Sequence, residues 1–362
     1  MRRGPDLSVI AAITFLGLVG TPWSTLPADA ASMLTAEAIN AAPLNAVPAS
    51  YESPSAQVDP LTTSSTFAVQ AVTLDTQFTP PAATDAPSVS VARLQILLDR
   101  AGASPGVIDG LDGGNVRSAI AAFQAMRGLP VDGKVGAEVI GAIDTSEQVI
   151  EGYVINADDL SGVVGEIPKD YAELAEIAFL GYARASEALA ERFHMHEDFL
   201  KALNPNAAFA EGETIFVADL GEDRQGVAVR LEVDKAEGQL RAYAEDGSLL
   251  AAYPATIGSE DNPSPSGVHT VTTVVENPTY TYNPKINFTQ GENDKVLTLS
   301  PGPNGPVGTM WIDLSEPSFG IHGTPEPARI DKTGSHGCVR LTNWDAQELG
   351  RLLTAGVPVK FL

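Results

Sequence analysis

Val229-Arg230-Leu231-Glu232-Val233-Asp234-Lys235-Ala236-Glu237-Gly238-Gln239-Leu240-Arg241-Ala242-Tyr243-Ala244 decides how the C-terminal part of the chain is built. Val229, Leu231 and Val233 alternate with charged residues, Leu240, Ala242 and Ala244 resume the alternation, and Glu237-Gly238 separates the two runs. A period of two with a glycine-containing turn predicts a β-hairpin with one face turned to a core. The same habit continues through Val268 to Val275, Met310-Trp311-Ile312 and Val357-Pro358-Val359-Lys360-Phe361, broken by one helical stretch from Asp345 to Leu353. Residues 226–362 are therefore predicted to form a mainly β, sandwich-like domain with one helix.

Two short segments of this domain carry chemistry: Ile321-His322-Gly323-Thr324 and, after ten intervening residues, Ser335-His336-Gly337-Cys338-Val339-Arg340. Cys338 is the only cysteine of the chain, so it has no intramolecular disulfide partner, and its polar, glycine-flanked loop does not resemble a core segment. Thiol catalysis requires a thiolate, a base to generate it, a group to fix the base, and donors for an oxyanion. Cys338 is the candidate nucleophile and His322 the candidate base. His336 is a second imidazole able to donate a hydrogen bond or organise the loop. The backbone around Gly337 and Cys338 can supply N–H donors, and glycine at 337 permits close approach of a substrate carbonyl. Zinc is the competing reading, but His336 and Cys338 lie only two apart and no second cysteine completes a usual structural set.

The two segments together resemble the active-site signature of the YkuD-type L,D-transpeptidases. The similarity extends over residues 227–362 and takes in Thr256-Ile257-Gly258, Pro263-Ser264-Pro265-Ser266-Gly267 and the loop Gly302–Gly308. The resemblance implies that Cys338 attacks the third-residue carbonyl of a tetrapeptide stem and expels the terminal D-alanine. His322 then serves as base, and the Gly323 carbonyl orients its ring. The acceptor implied is a diaminopimelate amine on another stem, giving a 3→3 link, with Ser335, Gly337 and Arg340 in the substrate-binding set. Arg340 stands where some relatives carry Asn, so an Asn role there does not transfer. Arg340 can bind a carboxylate bidentately or form a structural ion pair. His269, Trp311 and Trp344 are expected to pack rather than react, with a stem-binding wall as the second role for the tryptophans.

Upstream the pattern changes. Between Val89 and Ile143, Leu94, Leu97 and Leu98, then Ile120 and Phe123, then Val139 and Ile143 follow helical spacing. Val107-Ile108-Asp109-Gly110 and Val131-Asp132-Gly133 repeat one turn. A small three-helix domain over 89–145 is predicted, and it resembles the peptidoglycan-binding type 1 domain through Leu94-Gln95, Asp109-Gly110, Phe123-Gln124, Gly128-Leu129 and Asp132-Gly133-Lys134. Residues 150–221 are read as helix, loop, helix and strand. Leu203-Asn204-Pro205 and Gly212-Glu213-Thr214-Ile215 resemble a diverged, α+β LysM-like module with 160–180 as an insertion. His194 and His196 are expected on different faces of a helical region, against a metal pair. Residues 1–30 have the form of a secretory signal, with Arg2-Arg3, an apolar run from Leu7 to Gly20 and Ala28-Asp29-Ala30. The Ala-, Pro-, Ser- and Thr-rich stretch 31–88 is expected to be a disordered linker.

Lys plus Arg number 22 against 46 Asp plus Glu, a formal charge of −24 over 362 residues. Such a field repels phosphate backbones, so nucleic acid is excluded as a partner. The combined expectation is a multidomain, exported enzyme of the periplasm or cell wall that needs no cofactor and no metal. Its partners would be the tetrapeptide stems and glycan strands of peptidoglycan. The alternatives are an L,D-carboxypeptidase, an enzyme that attaches an outer-membrane lipoprotein to the wall or detaches it, and a non-enzymatic wall binder. The order of parts also predicts that the helical domain acts as an anchor apart from the catalytic domain.

Overall fold

A computed structural model describes residues 34–47, 86–259, 262–285, 290–335 and 337–362. The expected signal segment and most of the expected linker lie outside the described residues. The part of that linker at 34–47 is ordered, which corrects the sequence expectation. Helix α1 (Ala36–Ala41) is capped by Thr35, whose hydroxyl accepts from Ala38 N, and a 3₁₀ turn follows at Leu44–Ala46. Leu34, Ile39 and Leu44 enter the core, each burial being worth roughly 1.5–3 kcal/mol. Asn40 accepts from Val149 N at 2.8 Å and Ile150 N at 2.9 Å and donates to Ile150 O at 3.0 Å. Composition concealed this, because three spaced apolar residues are few in a stretch rich in alanine and proline.

The helical unit comprises α2 (Val89–Arg100), α3 (Gly114–Met126) and α4 (Ala137–Ala142). Leu94, Leu97, Leu98, Ile120, Phe123, Val139 and Ile143 are all buried. The repeated turn is built twice by one device. Gln95 donates to Asp109 at 2.8 Å and accepts from Gly110 N at 2.7 Å, and Gln124 donates to Asp132 at 2.7 Å and accepts from Gly133 N at 2.9 Å.

The middle unit contains a strand the sequence reading did not find: β1 (Ile150–Val154) pairs antiparallel with β2 (Thr214–Ala218). Between them run α5 (Ala157–Leu160), α6 (Tyr171–Leu174), α7 (Ala185–Arg192) and α8 (Glu197–Leu203). His194 and His196 are not on one helix. His194 sits between α7 and α8 at φ +55°, and His196 caps α8. The segment around α6 reaches across to the C-terminal domain: Leu180 N donates to Pro301 O at 2.9 Å, Asn304 N to Leu180 O at 3.0 Å, and the Asn304 amide to Gly181 O at 2.8 Å.

The C-terminal domain holds β3 (Arg230–Asp234), β4 (Gln239–Tyr243), β5 (Leu249–Pro254), β6 (Thr256–Ile257), β7 (Gly267–Glu276), β8 (Tyr280–Tyr282), β9 (Leu297–Leu299), β10 (Met310–Leu314), β11 (Gly320–His322), β12 (Val339–Arg340), α9 (Asn343–Leu352) and β13 (Pro358–Phe361). The sandwich expectation needs correcting. Nine of the strands form one mixed sheet in the order β5-β4-β3-β13-β7-β10-β11-β12-β6, because the ten-residue β7 bonds to β13 along its first half and to β10 along its second. The first and last strands in that order are separated in sequence only by Ala255, so the sheet curls until its ends meet. Both halves share one core with α9, whose Ala346, Leu349 and Leu352 belong to the same buried cluster as Leu240, Ile312 and Ile321.

The three units are docked, which corrects the expectation of an independent anchor. Ser104 N donates to Ala252 O and Ala252 N to Gly102 O, both at 2.9 Å, so the helical unit extends the β5 edge. Gln239 donates to Ser118 O at 3.1 Å. His194 pairs with Asp99 at 3.0 Å and stacks on Trp344 at 5.1 Å, joining all three units at one point. Asp345 is buried beside this pair, and its Oδ2 has no hydrogen-bond partner among the described residues.

Burial and then the charge of Asp99 raise the Asp345 carboxyl to about 8. The folded protein therefore holds a proton that the unfolded chain releases near pH 4. That stability contribution is complete below about pH 4 and is lost as pH rises through about 8. Melting temperatures should fall across this window, and Asp345→Asn should flatten the fall and raise the melting point at the alkaline end. Parallel pH profiles for the two proteins would refute the assignment.

Candidate active site

The site is created by strand pairing. β11 and β12 run parallel with Ile321 opposite Val339 and His322 opposite Arg340. Ile321 and Val339 point into the core. Side chains alternate along a strand, so His322 and Arg340, together with Cys338 at the head of β12, occupy the opposite face. The two sequence segments thus meet as one constellation.

His322 is buried and its Nδ1–H donates to the Gly323 carbonyl at 2.7 Å. A carbonyl only accepts, so this bond puts the proton on Nδ1 and leaves the Nε2 lone pair available. Burial drives the imidazole down to about 4, with the Arg340 charge acting in the same direction and the Gly323 bond against it. Trp311, opposite His322 across the β10–β11 register, stacks on the ring at 5.5 Å. Trp311 is thus packed, as expected, but against the imidazole itself.

Cys338 is half-buried, and its thiol lies 3.8 Å from the Ser318 carbonyl. Burial raises the thiol pKa above its ordinary value, while a hydrogen bond with the Gly320 backbone and the Arg340 charge lower it. At neutral pH the resting pair is therefore neutral thiol and neutral imidazole. Deprotonation must be coupled to attack, the situation in which a positioned base is most useful.

Ser335 was placed in the substrate-binding set; the structure gives its hydroxyl another task. Ser335 is buried, its Oγ donates to Cys338 O at 2.6 Å, and it accepts from Gly258 N at 2.8 Å and Gly337 N at 3.3 Å. It fastens the cysteine loop to the turn after β6. The bond also commits Gly337 N–H, one of the two amides offered as oxyanion donors. Gly337 adopts φ +102°, and a methyl group there would lie 2.6 Å from the Phe319 ring. Phe319 occupies the space on the side where a side chain would stand. Arg340 donates to Gly334 O, and its charge is felt by His322 and Cys338. His336 lies outside the described residues. Among those described, no group of three or more His, Cys, Asp or Glu side chains is arranged to hold a metal ion.

Tyr280 also belongs here and had no sequence signal. Burial, then the charges of Cys338 and Tyr282, raise its phenol pKa, and its ring meets Tyr171 of α6 edge-on at 6.3 Å. The β8–β9 hairpin that carries it is itself held by α6, through Tyr171 against Tyr282 at 5.2 Å and Leu174 with Leu180 against Leu299.

Known proteins share the domain in which this constellation lies. Residues 228–360 match the family model of the L,D-transpeptidase catalytic domain, and residues 88–143 that of a putative peptidoglycan binding domain. The putative L,D-transpeptidase YkuD of Bacillus licheniformis is 27% identical over 176 residues, 48% of this chain and 90% of that protein. The probable L,D-transpeptidase ErfK/SrfK of Escherichia coli is 29% identical over 142 residues, 38% of this chain and 44% of that protein. Among solved structures, L,D-transpeptidase 3 of Mycobacterium tuberculosis aligns at 15% identity with a TM-score of 0.31, over 42% of this chain and 75% of that one. The chain carries an L,D-transpeptidase catalytic domain at residues 228–360 and is an L,D-transpeptidase enzyme.

Removing the Ser335 hydroxyl leaves two N–H groups and a carbonyl without it, at about 1–3 kcal/mol for each buried group left unpaired. Ser335→Ala should accordingly lower the melting temperature and increase the exposure of Cys338 to a bulky disulfide reagent. Unchanged melting and unchanged thiol exposure would show that the loop does not depend on this hydroxyl.

Proposed function

We propose that this protein is exported and cross-links peptidoglycan stems, with Cys338 as nucleophile and His322 as general base. The observation that carries the reading is the β11–β12 register, which sets both residues on one face while the Gly323 carbonyl fixes the tautomer with Nε2 free. The match of residues 228–360 to the catalytic-domain model supports it.

In the first half-reaction His322 Nε2 takes the thiol proton as Sγ attacks the carbonyl of the third stem residue. The tetrahedral intermediate collapses with cleavage of the peptide bond, and the departing D-alanine amine takes the proton back from His322. In the second half-reaction the amine of a diaminopimelate side chain attacks the thioester and gives its proton to His322. Collapse releases the 3→3 amide and returns the thiol. With Gly337 N–H engaged by Ser335, the oxyanion is met by the Cys338 N–H of the cysteine loop, and Arg340 supplies positive charge for a stem carboxylate.

The unit at 88–143, which matches the putative peptidoglycan binding domain, would hold the wall polymer beside the catalytic domain. In the middle unit the β1–β2 pair enclosing helices supports the LysM-like reading and with it contact to glycan strands. Periplasm or cell wall is the compartment in which such a substrate is met.

The test is incubation with a purified disaccharide-tetrapeptide carrying diaminopimelate, followed by mass analysis. The expected product is a dimer that has lost one alanine, absent with Cys338→Ala and reduced by about two to four orders of magnitude with His322→Ala. Dimer formation by Cys338→Ala would overturn the mechanism, and tripeptide without dimer would reassign the acceptor to water.

A further inference from the structure

Asn343 opens α9, is 1% exposed, and turns its side chain toward the His322 loop. Its Oδ1 accepts from Thr309 N at 3.2 Å and fills the space that a Cβ on Gly323 or Gly308 would need. Its Nδ2 donates to Pro303 O at 3.2 Å and to the two oxygens of Glu191 at 3.0 and 3.2 Å. Glu191 Oε1 also accepts from the Tyr182 hydroxyl at 3.0 Å. Glu191 lies on α7 and Tyr182 just before it, both outside the 228–360 catalytic-domain match.

An asparagine amide fits the same space in either orientation, so its neighbours must choose. Pro303 O can only accept and Thr309 N can only donate, so Nδ2 is forced toward Pro303 and Oδ1 toward Thr309 and Gly323; Glu191, whose carboxyl burial holds up to about 7, accepts from Nδ2 on both oxygens once ionised. The contact between Asn343 Oδ1 and Gly323 admits no side chain and no large shift. Gly323 N donates back to Met310 O at 3.2 Å, and Gly323 O receives His322 Nδ1–H. A buried line of contacts therefore runs from Tyr182 through Glu191 and Asn343 to Gly323 and the imidazole.

We propose that Glu191 is a positioning residue for His322, acting through Asn343 and the Gly323 carbonyl, so that the middle unit completes the active site of the C-terminal domain. The proposal rests on the assignment of His322 as the base of Cys338. The loop 301–308 is clasped independently by Leu180 and Gly181, which bond its Pro301 and Asn304, so loss of Glu191 is expected to disturb the amide orientation more than the loop's attachment.

The test uses the full chain with Glu191→Gln, which keeps the shape but replaces one acceptor by a donor facing Asn343 Nδ2. Two readouts are compared with the wild type at matched folding, checked by circular dichroism. The first is turnover of the disaccharide-tetrapeptide, where kcat should fall at least about tenfold with KM within about twofold. The second is alkylation of Cys338 by iodoacetamide, which needs no stem peptide. Its rate at about pH 8 should fall about tenfold while the rate at about pH 10, where hydroxide makes the thiolate, stays within about twofold. A change that merely opened the cleft would shift both rates together. An alkylation ratio equal to that of the wild type overturns the proposal. Should Glu191→Gln not fold, Tyr182→Phe removes only the hydroxyl that holds Glu191, and the same ratio decides, with a loss of about threefold expected. If the wild type yields no cross-linked product, the functional reading fails, and the alkylation ratio still decides whether Glu191 positions His322.

Discussion

Two register pairs, Ile321 with Val339 and His322 with Arg340, are the constraint on which the site depends. Parallel neighbours need a crossover, and residues 323–338 supply it with a single 3₁₀ turn, Pro327–Arg329, among the described residues. So short a parallel pairing is weak alone. It is secured by the apolar partners beneath it and by Ser335, which ties the crossover's end to Gly258. Thr256 contributes at the other end, accepting from Asp331 N at 2.8 Å. The chemistry thus sits where two strands are held by their surroundings rather than by the length of their own ladder.

Those surroundings are not confined to the C-terminal domain. The middle unit holds the β8–β9 hairpin beside Cys338, the 301–308 loop, and the amide beneath Gly323. The helical unit touches the opposite edge of the sheet. A chain that looks like three modules in a row is, in its contacts, a catalytic domain with two others built onto it.

The proposed nucleophile and base could be named from the sequence because thiol chemistry leaves few choices. A lone Cys338 in a polar loop and His322 followed by glycine are local signals, and the alternation from Val229 to Ala244 gives the β character directly. What stayed hidden is what depends on distant pairing. Trp311 meets His322 only through the β10–β11 register, and Asn343 looks like any residue after a threonine cap. Ser335 entered the substrate-binding set through the family resemblance, and the three backbone groups its hydroxyl meets are brought to it only by the fold. His194 and His196 were misplaced because a helical pattern on both sides concealed the turn between them. Strand β1 was missed because Glu151 and Gly152 weaken its alternation.

The bridge between Ala252 and the backbone at Gly102 and Ser104 also bears on how the edge of the sheet is protected. Strand β5 begins the nine-stranded order, and its outer edge would otherwise present free N–H and C=O groups to any other chain. The helical unit covers that edge with its own backbone. In the folded chain the unit that matches the putative peptidoglycan binding domain thus takes up the Ala252 backbone groups that another strand would otherwise bond.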